Sequence, residues 1–173
     1  MRSHTPKVMH LLAGRPVVDH VLAGLTDAGI TRSVIVIGPE LESQASRFAP
    51  HATTIQTERL GTGHAVKIAL GRIKQKKTTV VIAYGDTPLV TPHTLRKLIE
   101  RQQDGASISL LGFRPEVPGT YGRLIVEGEQ VERIVETSDA TENELGIALC
   151  NSGVMAVSGA RLETWINALE NDN

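Results

Sequence analysis

Four polar side chains in this sequence stand where chemistry could use them: carboxylates at Asp86 and Glu136, an amide at Asn151 and an ammonium at Lys7. Asp86 ends the stretch Thr78-Thr79-Val80-Val81-Ile82-Ala83-Tyr84-Gly85, an uncharged run of β-branched and apolar residues that reads as a strand buried on both faces. Ligands of open α/β sheets sit just outside the carboxyl ends of the strands, so an acid there can meet a metal or a substrate. Asp before Thr87-Pro88 can equally begin a turn, and the residue alone leaves both roles open. A second informative piece is Gln56-Thr57-Glu58-Arg59-Leu60-Gly61-Thr62-Gly63-His64. Two glycines beside a helix N-terminus let backbone N–H groups approach a nucleotide, and Gln56 offers the donor and acceptor that a pyrimidine edge needs. The same glycines would also serve a plain tight turn. Glu136 and Asn151 taken singly fit a solvated hairpin end and a turn residue. Facing one cleft above the strand ends, the four would suit a phosphorylated sugar or nucleotide with a divalent cation.

Other chemistries lack their residues. The six histidines show no His-x3-His spacing and no cysteine partner, so no zinc site is assigned. A Gly-x-Ser-x-Gly elbow and a Walker lysine loop are both absent. Net charge is −1, aromatics make up 3% of residues, and the basic cluster Lys74-Gln75-Lys76-Lys77 fits a solvated helix end, which gives no case for nucleic-acid binding. No apolar run approaches the roughly 18 residues of a membrane span, and no apolar h-region follows Met1-Arg2-Ser3-His4. With a single cysteine, Cys150, the chain fits a reducing, cytoplasmic setting.

The elements that must position these residues alternate. Apolar spacing predicts helices over 17–28, 40–48, 64–73, 92–103 and 159–169, and strands over 33–38, 53–56, 78–83 and 106–113. Such alternation predicts one α/β domain over 1–173 with a parallel sheet covered by helices on both faces. Residues 121–127 and 130–136, joined by Gly128-Glu129, then read as a β-hairpin; 138–145 reads as polar loop and 147–157 as a strand interrupted at Asn151-Ser152-Gly153.

The spaced motifs Pro6-Lys7-Val8-Met9-His10, Leu12-Ala13-Gly14-Arg15-Pro16, Leu60-Gly61-Thr62-Gly63-His64-Ala65, Tyr84-Gly85-Asp86-Thr87-Pro88-Leu89, Tyr121-Gly122-Arg123 and Asp139-Ala140-Thr141 run in order along the chain. In them it resembles the pyrophosphorylase domain of bacterial N-acetylglucosamine-1-phosphate uridylyltransferases. The resemblance implies a Rossmann-like nucleotidyltransferase, a three-layer sandwich with a mostly parallel sheet plus a β-hairpin insertion. It implies a cytoplasmic enzyme that joins UTP and N-acetylglucosamine 1-phosphate into UDP-N-acetylglucosamine and pyrophosphate with Mg²⁺. Implied roles are catalysis for Lys7 and Asp86, metal ligation for Asp86, nucleotide contacts for Lys7, Gln56, Gly61, Thr62, Tyr84 and Gly85, and sugar contacts for Gly122, Glu136 and Asn151. Small-molecule substrates are the partners so implied, with neither nucleic acid nor membrane, and homo-oligomerisation stays open.

Three departures qualify the resemblance. The family's first strand, its Gly-rich triphosphate loop and its C-terminal part have no counterpart here, Arg59 replaces a usual Gln, and Thr137-Ser138 replaces a His-Lys pair. Loss of a central strand would leave its neighbours facing each other across an empty slot, with orphaned backbone groups costing about 1–3 kcal/mol each. The expectation is therefore a recognisable site that does not turn over. A non-catalytic nucleotide-sugar binding module and a nucleotidyltransferase for another sugar phosphate or base are the alternatives.

Overall fold

A computed structural model describes residues 5–73 and 78–169. The basic cluster at 74–77, the first four residues and the polar end at 170–173 lie outside them. Alternation of apolar side chains gives the central strands two packing faces. Strand β5 (Thr79–Ile82) sends Val81 to one face, against Leu95, Leu98, Val154 and Ala156, and Val80 and Ile82 to the other, against Val157, Leu162 and Ile166. Helices α1 (Val17–Asp27) and α3 (Pro92–Gln103) cover the first face, while α2 (Gly61–Leu70) and α5 (Gly159–Asn167) cover the second. Thr91 caps α3 by accepting from the Thr94 N–H, and Pro92 occupies the first turn, where its lack of an N–H costs nothing.

The remaining strands are β1 (Leu11–Leu12) and β2 (Arg15–Pro16), a short antiparallel pair; β3 (Val34–Ile37) and β4 (Ala52–Ile55), which pair in parallel; and β6 (Ile108–Phe113), β7 (Arg123–Glu127), β8 (Gln130–Val135) and β9 (Cys150–Ser158), which complete a five-stranded sheet with β5. The α/β class holds, but the mostly parallel sheet needs correction. Strands β5 and β6 each run antiparallel to β9, hence parallel to each other, as the strand–α3–strand alternation predicts. Adjacency differs because β9 lies between them, so the pairings of this sheet are antiparallel. The cause is burial. Cys150, Val154, Ala156 and Val157 are almost wholly inaccessible, and a strand apolar on both faces belongs in the interior of a sheet.

Strand β5 itself is only half-buried along its length, contrary to the expectation of burial on both faces. One of its edges pairs with β9, and the other faces a cavity of about 1870 Å³ that separates it from β3. Three smaller differences concern helices. The Gly61-Thr62-Gly63 segment forms the first turn of α2 and does not precede it, and residues 39–48 are a 3₁₀ helix. Within the expected polar loop lies a short helix, α4 (Glu142–Leu145).

Thr141 and Glu144 fold α4 by capping each other. The Thr141 Oγ1 accepts from the Glu144 N–H, while Glu144 Oε2 accepts from the Thr141 N–H and hydroxyl, both at 2.7 Å. Glu144 Oε1 also takes a hydrogen bond from Arg133 on β8, tying α4 to the hairpin. These donors, the Thr141 N–H first, hold the Glu144 carboxyl down at about 2 from its usual 4.5. A depressed carboxylate pKa stabilises the fold fully above 4.5 and ceases to do so as pH falls through about 2. We expect a carbon-detected NMR titration to show the Glu144 carboxyl midpoint near 2, with the Thr141 amide resonance moving in step; Thr141→Ala should return it toward 4.5.

Candidate functional site

The carboxyl ends of β4 and β5 meet at one edge of the fold. Gln56 leaves β4 and Tyr84-Gly85-Asp86 leaves β5, and both meet the first turn of α2, where Thr62 Oγ1 lies 2.9 Å from Tyr84 Oη and Gln56 Nε2 donates to the Gly61 carbonyl at 3.1 Å. A 3₁₀ turn (Lys7–Met9) sets Val8 against Gly85, where a side chain would come within 3.2 Å of it, and brings Lys7 Nζ to 2.6 Å from Asp86 Oδ2. The hydrogen bond to Asp86, and after it the Asp86 charge, raises the Lys7 pKa. Lys7 is 68% exposed and Asp86 30% exposed, so this pair contributes at most about 1 kcal/mol and can open for a ligand.

Gln56 presents less than the sequence suggests. Its Nε2 also lies 3.2 Å from His64 Nδ1, but that nitrogen is 3.0 Å from the Glu58 carbonyl, which can only accept, so Nδ1 carries the imidazole proton and donates it to Glu58. With one amide hydrogen given to Gly61, Oε1 of Gln56 remains the acceptor open to a base.

The three expected sugar contacts do come together. A side chain at Gly122 would sit 2.9 Å from Glu136 Oε1, which places the carboxylate against the Gly122 Cα. The Gly122 carbonyl accepts from the Asn151 N–H at 2.8 Å, and Asn151 Oδ1 accepts from the Gly153 N–H at 2.8 Å. Asn151 Nδ2 is left to donate outward. Gly153 then links this cluster to the nucleotide candidates, since its φ is +75° and a Cβ there would lie 2.1 Å from the Tyr84 ring.

Two residues carry the geometry without having been singled out from sequence. Gly153 is one; its signal is the Asn-Ser-Gly break inside an otherwise apolar strand. Arg123 is the other. Only 3% exposed, it donates to the carbonyls of Gly119, Tyr121 and Leu145, fixing the 119–122 loop to the end of α4. Tyr121, in the same loop, stacks edge-on against Phe113 with ring centroids 4.8 Å apart.

Among the described residues no three His, Cys, Asp or Glu side chains gather into a cation cage. Asp86, 30% exposed, offers one carboxylate that a hard divalent cation could take, completing its shell with water and substrate phosphate.

Replacing Gly153 by Ala adds a left-handed backbone penalty and a collision with Tyr84, together about 2–4 kcal/mol. Urea unfolding of Gly153→Ala, Tyr84→Ala and the double variant should show the collision share, about 1–3 kcal/mol, recovered in the double variant.

The chain has relatives of known name. The model of the MobA-like NTP transferase domain matches residues 1–145. Over its whole length the chain is 49% identical to the bifunctional protein GlmU of Rhodospirillum rubrum and 45% identical to that of Paramagnetospirillum magneticum, and it spans 39% of the length of each. In three dimensions it resembles UDP-glucose pyrophosphorylase complexed with UDP-glucose, at TM-score 0.78 and 14% identity over 95% of this chain and 72% of that one. It also resembles HddC from Yersinia pseudotuberculosis, at TM-score 0.74 and 23% identity over 100% of this chain and 75% of that one. These likenesses place the fold among nucleotidyltransferases, and with the family match they settle the affiliation: the chain belongs to the MobA-like NTP transferase domain family.

Proposed function

We propose that this chain is the nucleotidyltransferase part of an enzyme that joins UTP and N-acetylglucosamine 1-phosphate into UDP-N-acetylglucosamine and pyrophosphate. The observation that carries the reading is the convergence of Asp86, Lys7, Thr62 and Tyr84 on one strand-end edge, with Gly122, Glu136 and Asn151 joined to it through Gly153. The GlmU likeness over the whole chain supports the reading with uridylyl and N-acetylglucosamine substrates.

In this reaction a phosphate oxygen of the sugar phosphate attacks the α-phosphorus of UTP as the bond to pyrophosphate breaks, so alignment and charge do most of the work and no side-chain nucleophile is needed. Mg²⁺, held by Asp86, would supply charge that offsets the build-up on the phosphates. Lys7 adds a point charge on the same side, released from Asp86 when the carboxylate takes up another partner. Around the base and ribose, Gln56 Oε1, the N–H groups at Gly61 and Thr62, Tyr84 and the bare Gly85 backbone form the receiving wall. Glu136 accepts from sugar hydroxyls and Asn151 Nδ2 donates to them, while Gly122 keeps the approach open. The reaction runs on soluble metabolites, which agrees with a cytoplasmic enzyme, and no described helix is long and apolar enough to cross a membrane.

A second reading, a nucleotide-sugar binding module without turnover, draws on the cavity beside β5, which Gln56, Thr62, Tyr84 and Gly85 line. Calorimetry of the chain with UDP-N-acetylglucosamine, with and without Mg²⁺, tests the common part. Binding that strengthens about tenfold with Mg²⁺, a gain lost in Asp86→Asn while metal-free binding stays, is the expected result. Failure to bind either UTP or the product would overturn both readings. Pyrophosphate release by the chain itself would select the enzyme over the module.

A further inference from the structure

We propose that Arg123 is the positioning residue of the sugar half of the site: without touching a substrate, it holds Gly122, Glu136 and Asn151 in one row by clamping the two loops that lead to and from that row. The inference rests on the reading of those three residues as sugar contacts. Strand register supplies the first observation. Arg123 of β7 lies opposite both Val135 of β8 and Cys150 of β9. One step outward along these antiparallel strands, Gly122 therefore stands opposite Glu136 and Asn151. The contacts agree, since the Asn151 N–H donates to the Gly122 carbonyl at 2.8 Å and the Glu136 carboxylate lies against the Gly122 Cα. The three sugar contacts thus form one cross-strand row, and Arg123 belongs to the next row inward. Its side chain gives its donors to backbone carbonyls and to no side chain of the sugar row.

The guanidinium supplies the second observation. Nε donates to the Leu145 carbonyl at 3.4 Å, Nη1 to that of Tyr121, and Nη2 to that of Gly119 at 3.2 Å, so each nitrogen holds a different carbonyl. Gly119 and Tyr121 belong to the loop that enters Gly122, whereas Leu145 ends α4, in the loop that leaves Glu136 and returns at Asn151. One planar group therefore ties both loops together. Arg123 is buried and, among the described residues, takes part in no ion pair. A buried cation that faces only neutral carbonyls is costly to desolvate, and an apolar side chain of similar volume would fill the space without that cost. What an apolar side chain cannot do is donate in three directions at once. Lysine is no substitute, since its donors radiate from a single nitrogen and do not form a rigid fork. Gln56, Gly61, Thr62 and Gly85 stand on or beside β4, α2 and β5, outside the clamp, so its loss falls on the sugar and spares the nucleotide.

The test compares UDP with UDP-N-acetylglucosamine by calorimetry on the unsubstituted chain, on Arg123→Lys and on Arg123→Met, with folding checked by circular dichroism. The sugar should strengthen binding to the unsubstituted chain. Both variants should keep their affinity for UDP within about twofold and lose about tenfold for UDP-N-acetylglucosamine. In the ligand-free variants the amide resonances of Gly122 and Asn151 should move while those of Gly61 and Thr62 stay. Equal loss for the two ligands, which marks a merely structural role, full sugar affinity in Arg123→Lys, or unmoved Gly122 and Asn151 resonances would overturn the proposal and leave the sugar reading in place. An unsubstituted chain that gains nothing from the sugar would overturn that reading, and the proposal with it. If neither variant folds, the Nε–H resonance of Arg123 in the unsubstituted chain decides. It should shift when UDP-N-acetylglucosamine binds and hold its place with UDP; the same shift with both ligands, or none with either, would overturn the proposal.

Discussion

Backbone hydrogen bonding along β9 is the constraint on which the structure depends. That strand pairs with β5 and β7 on one side and β6 on the other, and its fully buried residues supply the centre of two packing clusters. The same strand begins with Cys150 opposite both Phe113 and Arg123 and continues into Asn151 and Gly153. A polar, glycine-broken stretch at one end of an otherwise apolar strand thus brings the hairpin β7–β8 and the end of β5 to one edge. Stability and site geometry are two ends of one element.

How much of this was legible beforehand depends on the range of the interactions involved. Local patterns were readable: the helix ending at Gly29, the Pro92 start of α3, the Gly128 turn of the hairpin and the direction of the strands up to β6. Adjacency was not, because a strand placed between β5 and β6 announces itself only by being apolar on both faces. The helix α4 was missed even though Thr141 and Glu144 have capping-box spacing, since four residues carry too little apolar periodicity to register. For the site, types and positions were legible while hydrogen-bond state was not. Gln56 shows this, its nitrogen turned inward to Gly61.

The cavity beside β5 and the strand-end site share that strand. Its residues form one wall of the cavity, and its continuation, Tyr84 to Asp86, carries the groups that meet Thr62 and Lys7. A weak, exposed Lys7–Asp86 pair is consistent with that arrangement: it neutralises the carboxylate at rest and yields when a stronger partner arrives.

The central claim is that one strand-end edge, running from Gln56 through Tyr84 to Asn151, receives a nucleotide sugar. Amide-resolved NMR of the isotopically labelled chain, titrated with UDP-N-acetylglucosamine, tests it directly. The account predicts that Gly61, Thr62, Tyr84, Gly85, Gly122 and Asn151 shift together along one binding curve. Shifts confined to the outer face of the β7–β8 hairpin, or divided between two curves for the nucleotide and sugar groups, would contradict it.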